Sequence, residues 1–220
     1  MSDTINNLKK YTIITGHYGS GKTNFAANLA IYAAESCEKI TVVDLDTVNP
    51  YFRSADLAEL FAEKGITLAA PLYANSSLDI PALSFNLEEF TEGKVIIDVG
   101  GDDSGAAVLR RYSDFFRENA AGIETVFAVN MYRRRTETAE EALIFMREIE
   151  YASGLMIDSV VNNSNLGKET SPSVIEKSIS YADNLCSLSG LPLRFTVDTS
   201  GGANVPHRFP AKVYIGNNWD

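Results

Sequence analysis

The run Gly16-His17-Tyr18-Gly19-Ser20-Gly21-Lys22-Thr23 fits the pattern G-x-x-x-x-G-K-[ST], and the chemistry that spacing serves is phosphate binding. Successive backbone N–H groups turn inward around an anion only where no Cβ blocks the turn, and the glycines at 16, 19 and 21 meet that need. Lys22 is placed to reach the β and γ phosphates of a nucleotide, and Thr23 to offer its hydroxyl to Mg2+. A helix that opens there and continues through Asn24 adds partial positive charge beneath the phosphates. Two further stretches carry carboxylates. The apolar run Lys39-Ile40-Thr41-Val42-Val43-Asp44 has Asp44 and Asp46 at its C-terminal end, and Lys94-Val95-Ile96-Ile97-Asp98-Val99-Gly100-Gly101 ends in Asp98 and two glycines. Ligands of open parallel sheets sit at the carboxyl ends of the strands. Asp44 and Asp46 are therefore expected to face the phosphates and Asp98 to hold a water on Mg2+. Gly100 or Gly101 would let a backbone N–H approach the γ-phosphate.

The elements that must position these groups alternate between strand and helix. Ile13-Ile14 forms a short buried strand, and residues 24–35 carry Phe25, Leu29 and Tyr32 at helical spacing. Ser54 is read as the cap of a helix over 55–64, with Leu57, Leu60 and Phe61 on its apolar side and Gly65 as its stop. Ile66-Thr67-Leu68 follows as a short strand, and residues 69–85, with two prolines and no clear period, read as a long loop. Asp102, Asp103 and Ser104 offer an N-cap to a helix running through Val108, Leu109, Tyr112 and Phe115. Thr125-Val126-Phe127-Ala128-Val129 is another buried strand. Thr138-Ala139-Glu140-Glu141 is a capping box for a long helix with Ala142, Leu143, Met146 and Ile149 on its apolar face. The strand Met156-Ile157-Asp158-Ser159-Val160-Val161 ends at Asn162-Asn163, on the ligand edge, where an asparagine can read a purine base. Ser171-Pro172 opens a further helix, Leu191 to Val197 supplies a strand near the sheet edge, and Lys212-Val213-Tyr214-Ile215 reads as a short final strand. This order predicts one α/β domain over residues 1–220, a doubly wound, mostly parallel sheet with helices on both faces.

With 220 residues and 45% hydrophobic side chains, the chain can bury one substantial core. Its formal charge of -10 excludes a broad basic surface, so neither nucleic acid nor an anionic membrane is an expected partner. No apolar run approaches the roughly 18 residues needed to span a bilayer, and the chain reads as a soluble cytoplasmic protein. Cys37 and Cys186 stand alone, outside any C-x-x-C pattern, and read as packing residues. Arg133-Arg134-Arg135 stands out in so acidic a chain, and reads either as solvated surface or as an anion or partner site.

Taken together, Gly16 to Thr23, Val42-Val43-Asp44-Leu45-Asp46 and Val95-Ile96-Ile97-Asp98-Val99-Gly100-Gly101 resemble the MinD/ParA/CobQ/CobB-type nucleotide-binding family of the SIMIBI class of P-loop NTPases. That resemblance implies ATP and Mg2+ as cofactors. The nucleotide would be held by residues 16–24, with Lys22 catalytic, and by Gly101, Asn162 and Asn163. Thr23, Asp44 and Asp98 would face the metal, and Asp46 would orient the attacking water. Members with the loop K-G-G-x-G-K-[ST] carry a lysine that reaches across a dimer, and here that place is His17, followed by Tyr18. Neutral imidazole does not replace a permanent charge, so homodimer action stands open, unless an arginine such as Arg133 supplies the charge. The Asn162-Asn163-Ser164-Asn165 segment lacks the aspartate with which related N-K-x-D segments accept from guanine, which favours ATP, and residues 200–204 could close over the base. The implied function is a slow ATPase that switches a protein partner. The alternative is an ATP-dependent small-molecule kinase or carboxylate-activating enzyme like the dethiobiotin and cobyrinate synthases, and a third reading is a binding module without turnover.

Overall fold

Strands that are covered on both faces need apolar side chains at nearly every position, and Tyr11–Thr15 and Ile40–Leu45 are buried throughout. The computed structural model describes residues 8–36, 39–46, 54–69, 87–90, 92–101 and 103–215. In chain order the elements are β1 Tyr11–Thr15, α1 Lys22–Ala34, β2 Ile40–Leu45, α2 Ser54–Glu63, β3 Ile66–Ala69, β4 Lys94–Val99, α3 Asp103–Arg110 and α4 Ser113–Glu118. They continue with β5 Ile123–Val129, α5 Ala139–Ser153, β6 Ser159–Asn162, α6 Pro172–Glu176, α7 Ile179–Ser189, β7 Leu193–Asp198 and β8 Arg208–Pro210. The strands form one sheet in the order β3-β2-β4-β1-β5-β6-β7-β8, and every pairing is parallel. From β1 the chain crosses to β2 and on to β3 at one side, returns to lay β4 between β2 and β1, and then builds to the other side from β5 to β8. The strand order therefore reverses at β1, and the crevice at its carboxyl end is where such sheets bind ligands.

Helices cover both faces. On one, Ile14, Val42, Ile96, Ala128 and Val161 pack against Phe25 and Leu29 of α1 and Leu57 and Phe61 of α2. Burial of Leu57 and Phe61 contributes roughly 2 kcal/mol each and fixes α2 over β2 and β3. On the opposite face Ile13, Val43 and Ile97 meet Leu109 and Phe116, while Phe127, Val129 and Val160 meet Phe145, Met146 and Leu185. Thr138 caps α5 in the predicted box: its side chain accepts from Glu141 N at 3.2 Å, and the Glu141 carboxylate accepts from Thr138 N at 3.3 Å. Cys186 is half-buried beside the α5–α7 core, and burial, with the Asp183 charge, pushes its thiol up to about 11.

Several expectations change. The helix through Val108 and Phe115 is two helices. Arg111 N and Tyr112 N close short bonds to Val108 O and Leu109 O, and Phe116 N restarts a helix on Tyr112 O. The break lets Phe115 meet Tyr11 edge-on at 5.2 Å while Phe116 enters the core. Ala69 closes β3 instead of opening the loop. Ser171 and Pro172 sit at N-cap and N1, but the Ser171 hydroxyl meets Ser173 at 3.0 Å instead of capping. The last strand is Arg208–Pro210, and residues 212–215 form none. There the side chains of α1 stand in for a neighbouring strand. Asn28 donates to Lys212 O and accepts from Lys212 N, both at 2.8 Å, and Asn24 accepts from Tyr214 N at 2.9 Å. Cys37, residues 70–85 and Asp102 lie outside the described residues. Among the described residues no helix is long and apolar enough to cross a membrane.

Candidate nucleotide site

The loop from Gly16 to Lys22 leaves the carboxyl end of β1 and turns on three glycines with positive φ, 145° at Gly16, 78° at Gly19 and 81° at Gly21. A Cβ at Gly16 would run into the Ala128 carbonyl of β5, so the loop lies tight against that strand. Ser20 N donates to His17 O at 3.1 Å to close the turn, and Phe25 N donates to Gly21 O at 3.0 Å to begin α1. Lys22 is only 5% exposed, and its Nζ donates to His17 O at 3.1 Å. The ammonium is thus drawn in under the loop whose backbone N–H groups would take a phosphate.

Loops after β5 and β6 support this turn from below. Asn163 Nδ2 donates to Ser20 O at 2.6 Å, and the same amide occupies the space that a Cβ on Gly21 would need. Arg133 Nε donates to Gly19 O at 3.2 Å. Asn130 joins the two loops, donating to Asn165 O at 3.1 Å and accepting from Tyr132 N at 3.0 Å, while Ser164 Oγ accepts from Met131 N at 3.1 Å. Thr136 Oγ1 closes the group on Asn130 O at 2.9 Å. Asn130 and Thr136 carry no site signal in the sequence beyond polar residues following a strand, and Ser164 and Asn165, read there for the base, instead brace the two loops.

The carboxylates converge on the same edge. Asp44 and Asp98 are register partners on β2 and β4, so both project from the face that carries α1. Thr23, Asp44 and Asp98 line one cavity together with Ala26, Val42 and Phe61. A hydroxyl and two carboxylates are hard oxygen donors, few enough to leave positions for phosphate and water, and that set fits Mg2+. Asp46 is 7% exposed and accompanies them, its N–H donating to Asp44 Oδ1 at 2.9 Å. A Cβ built on Gly100 would stand 3.3 Å from Asp46 Oδ1. Next along, the Gly101 carbonyl accepts from Tyr18 N at 3.1 Å, and a Cβ on Gly101 would come within 2.7 Å of Lys22 Nζ. The end of β4 is therefore seated directly on the phosphate loop.

His17 turns to α5. Its ring meets Phe145 edge-on at 4.9 Å, and Nδ1 lies 2.8 Å from Tyr18 O, the geometry of the Nδ1–H tautomer. Burial lowers its pKa below the ordinary value, the Tyr18 carbonyl opposes that, and the Arg135 and Lys22 charges add to the lowering. Asn24 is tied by its side chain to the segment at 212–214. Both polar atoms of Asn162 are engaged inside the protein, Nδ2 with Ser178 Oγ at 2.8 Å and Oδ1 with Ser164 N at 3.2 Å. The loop at 200–204 is shaped from within by Asp198, whose Oδ1 accepts from Ser200 N and Gly201 N and whose Oδ2 accepts from Ala203 N and Arg208. Burial alone would raise Asp198, but the hydrogen bonds from Ser200 and Arg208 hold it below the usual carboxylate value.

No family model matches the sequence, and no curated protein matches it. Solved structures do. FtsY from Mycoplasma mycoides superposes with a TM-score of 0.59 at 17% identity, covering 85% of this chain and 60% of its own. FlhF complexed with GTP and Mg2+ gives 0.52 at 18%, covering 90% and 68%. The signal recognition particle 54 kDa protein from Aeropyrum pernix K1, in complex with GDP, gives 0.51 at 19%, covering 86% and 41%. The chain thus spans about three-fifths of the FtsY chain. At such identities the likeness is one of fold alone. The all-parallel sheet wound with helices on both faces, with its glycine loop at the reversal of strand order, has the α/β fold of a P-loop NTPase.

Proposed function

We propose that the chain binds a purine nucleoside triphosphate with Mg2+, hydrolyses it slowly and acts as a nucleotide-controlled switch on a protein partner, as a member of the MinD/ParA/CobQ/CobB-type family. The observation that carries this reading is the hydrogen bond from Tyr18 N to Gly101 O. It joins the phosphate loop to the strand end that bears Asp98, so a γ-phosphate entering the loop and residues 100–101 contend for the same edge. Lys22 and the loop N–H groups would hold the phosphates, Thr23, Asp44 and Asp98 would hold the metal, and Asp46 would orient water. Bound Mg2+ would neutralise phosphate charge.

ATP is the proposed nucleotide. The segment Asn162-Asn163-Ser164-Asn165 offers asparagines and serine but no carboxylate, and Asp198 at the end of β7 has both oxygens engaged. Related N-K-x-D segments accept from guanine with an aspartate, and Asn162-Asn163-Ser164-Asn165 has none. Titration of a fluorescent ATP analogue in the presence of Mg2+ tests the reading. Binding should be lost in Lys22→Ala, should exceed binding of the GTP analogue by at least about tenfold, and should alter amide exchange over residues 99–105 for ATP and not ADP. Equal exchange in both nucleotide states would remove the switch, and retention of binding in Lys22→Ala would remove the site.

A further inference from the structure

The three consecutive arginines between β5 and α5 have different surroundings. Arg134 is exposed. Arg135 pairs with Glu148 at 3.1 Å and lies over the Phe145 ring at 5.1 Å. Arg133 instead lies back along the phosphate loop. Its Nε donates to Gly19 O at 3.2 Å, and a Cβ built on Gly19 would stand 3.6 Å from both Cδ and Nε, so its stem touches the loop.

The backbone that presents Arg133 is held from several sides. Arg133 N donates to Asn130 O at 3.1 Å, while Thr136 N and Thr136 Oγ1 both donate to Arg133 O at 3.2 Å. Asn130 and Thr136 are fully buried. Among the described residues no carboxylate pairs with Arg133, whose hydrogen bond is made through the inner nitrogen. The two outer nitrogens form a planar fork suited to phosphate oxygens. A neutral donor would suffice to hold the Gly19 carbonyl, so the charge and the fork call for another partner.

We propose that Arg133 acts in cis on the nucleotide at the phosphate loop, donating from Nη1 and Nη2 to its outer oxygens and stabilising the charge that develops as the γ-phosphoryl leaves. The inference rests on the triphosphate reading above. In the step, a water oxygen bonds to Pγ and the bond from Pγ to the β–γ bridging oxygen breaks. The electron pair stays on that oxygen, now part of ADP, and the proton lost by the water passes to solvent as phosphate is released. His17, turned to Phe145, brings no permanent charge to a second molecule, and the chain supplies its own cation.

Single-turnover hydrolysis of Mg–ATP by the full chain tests this, alongside affinities for ADP and a non-hydrolysable ATP analogue. Arg133→Ala should slow hydrolysis by at least about 100-fold, the scale of an arginine acting on phosphoryl transfer. It should lower analogue affinity at least tenfold more than ADP affinity. Arg133→Gln keeps a donor for the Gly19 carbonyl and should melt as the wild type does, yet be as slow as the alanine variant. Guanidinium ion at sub-denaturing concentration should restore part of the rate to Arg133→Ala. Equal losses for ADP and analogue without rescue would make Arg133 a support for Gly19 and overturn the proposal, as would wild-type rates in Arg133→Gln. A wild-type chain that binds no nucleotide would instead defeat the triphosphate reading itself, and binding with unaltered hydrolysis in both variants would defeat this inference alone.

Discussion

Asn163 holds the underside of the phosphate loop through Ser20, its Nδ2 donating to the Ser20 carbonyl at 2.6 Å from a position 4% exposed. Removing the amide strands a buried carbonyl, a loss of about 1–3 kcal/mol. Asn163→Ala should therefore lower stability by that amount in denaturant titration and weaken Mg–nucleotide binding by about tenfold. Undiminished affinity at lowered stability would show that the turn keeps its shape without this support.

Gly101 has no room for a methyl group, since a Cβ there would lie 2.5 Å from Tyr18 N and 2.7 Å from Lys22 Nζ. The first of these is backbone and cannot step aside. Gly101→Ala should therefore push the end of β4 off the loop, and triphosphate affinity should fall at least about tenfold with the circular dichroism spectrum kept. Calorimetric titration with ATP and ADP checks it, and equal affinities for the variant and wild type would sink the idea.

His17 favours its neutral form in the folded chain because burial holds its pKa below the ordinary value. The unfolded chain then binds more protons than the folded one as pH falls below that ordinary value. The His17 contribution is fully present above about pH 6.5 and diminishes as pH falls toward the folded pKa. His17→Gln should flatten that part of the Tm against pH curve between about pH 5 and 7. A curve of unchanged slope would mean the imidazole titrates as it does in the unfolded chain.

Asp198 behaves in the opposite sense, being held below its ordinary value by Ser200 and Arg208. Its contribution is present above about pH 4 and is lost as pH falls through the lower folded value. Asp198→Asn should destabilise the chain by about 2 kcal/mol at neutral pH and remove part of the acid sensitivity. Loosening of residues 200–204 should appear as faster amide exchange at Ser200, Gly201 and Ala203, whose N–H groups Asp198 now accepts.

Much of this architecture is legible in the chain because it depends on neighbours in sequence. The glycines at 16, 19 and 21, the apolar runs ending in Asp44 and Asp98, and the Thr138–Glu141 box are all local patterns. The structure places the two strand ends beside each other in register. What could not be read depends on side chains that pair with distant backbone. Asn163 reaches Ser20 across 143 residues, and no periodicity announces it. Lys212 to Ile215 reads as a strand, yet Asn24 and Asn28 take its backbone groups, while the shorter Arg208–Pro210 joins the sheet. The helix break at Tyr112 accompanies the edge-on packing of Phe115 on Tyr11, a contact that no helical spacing encodes.

Among the described residues the outermost strands are β3, with four residues, and β8, with three that end in Pro210. A proline has no N–H to offer a further strand, and so short a rim gives an incoming chain little to zip onto. Growth of the sheet from molecule to molecule is thereby discouraged at the β8 rim.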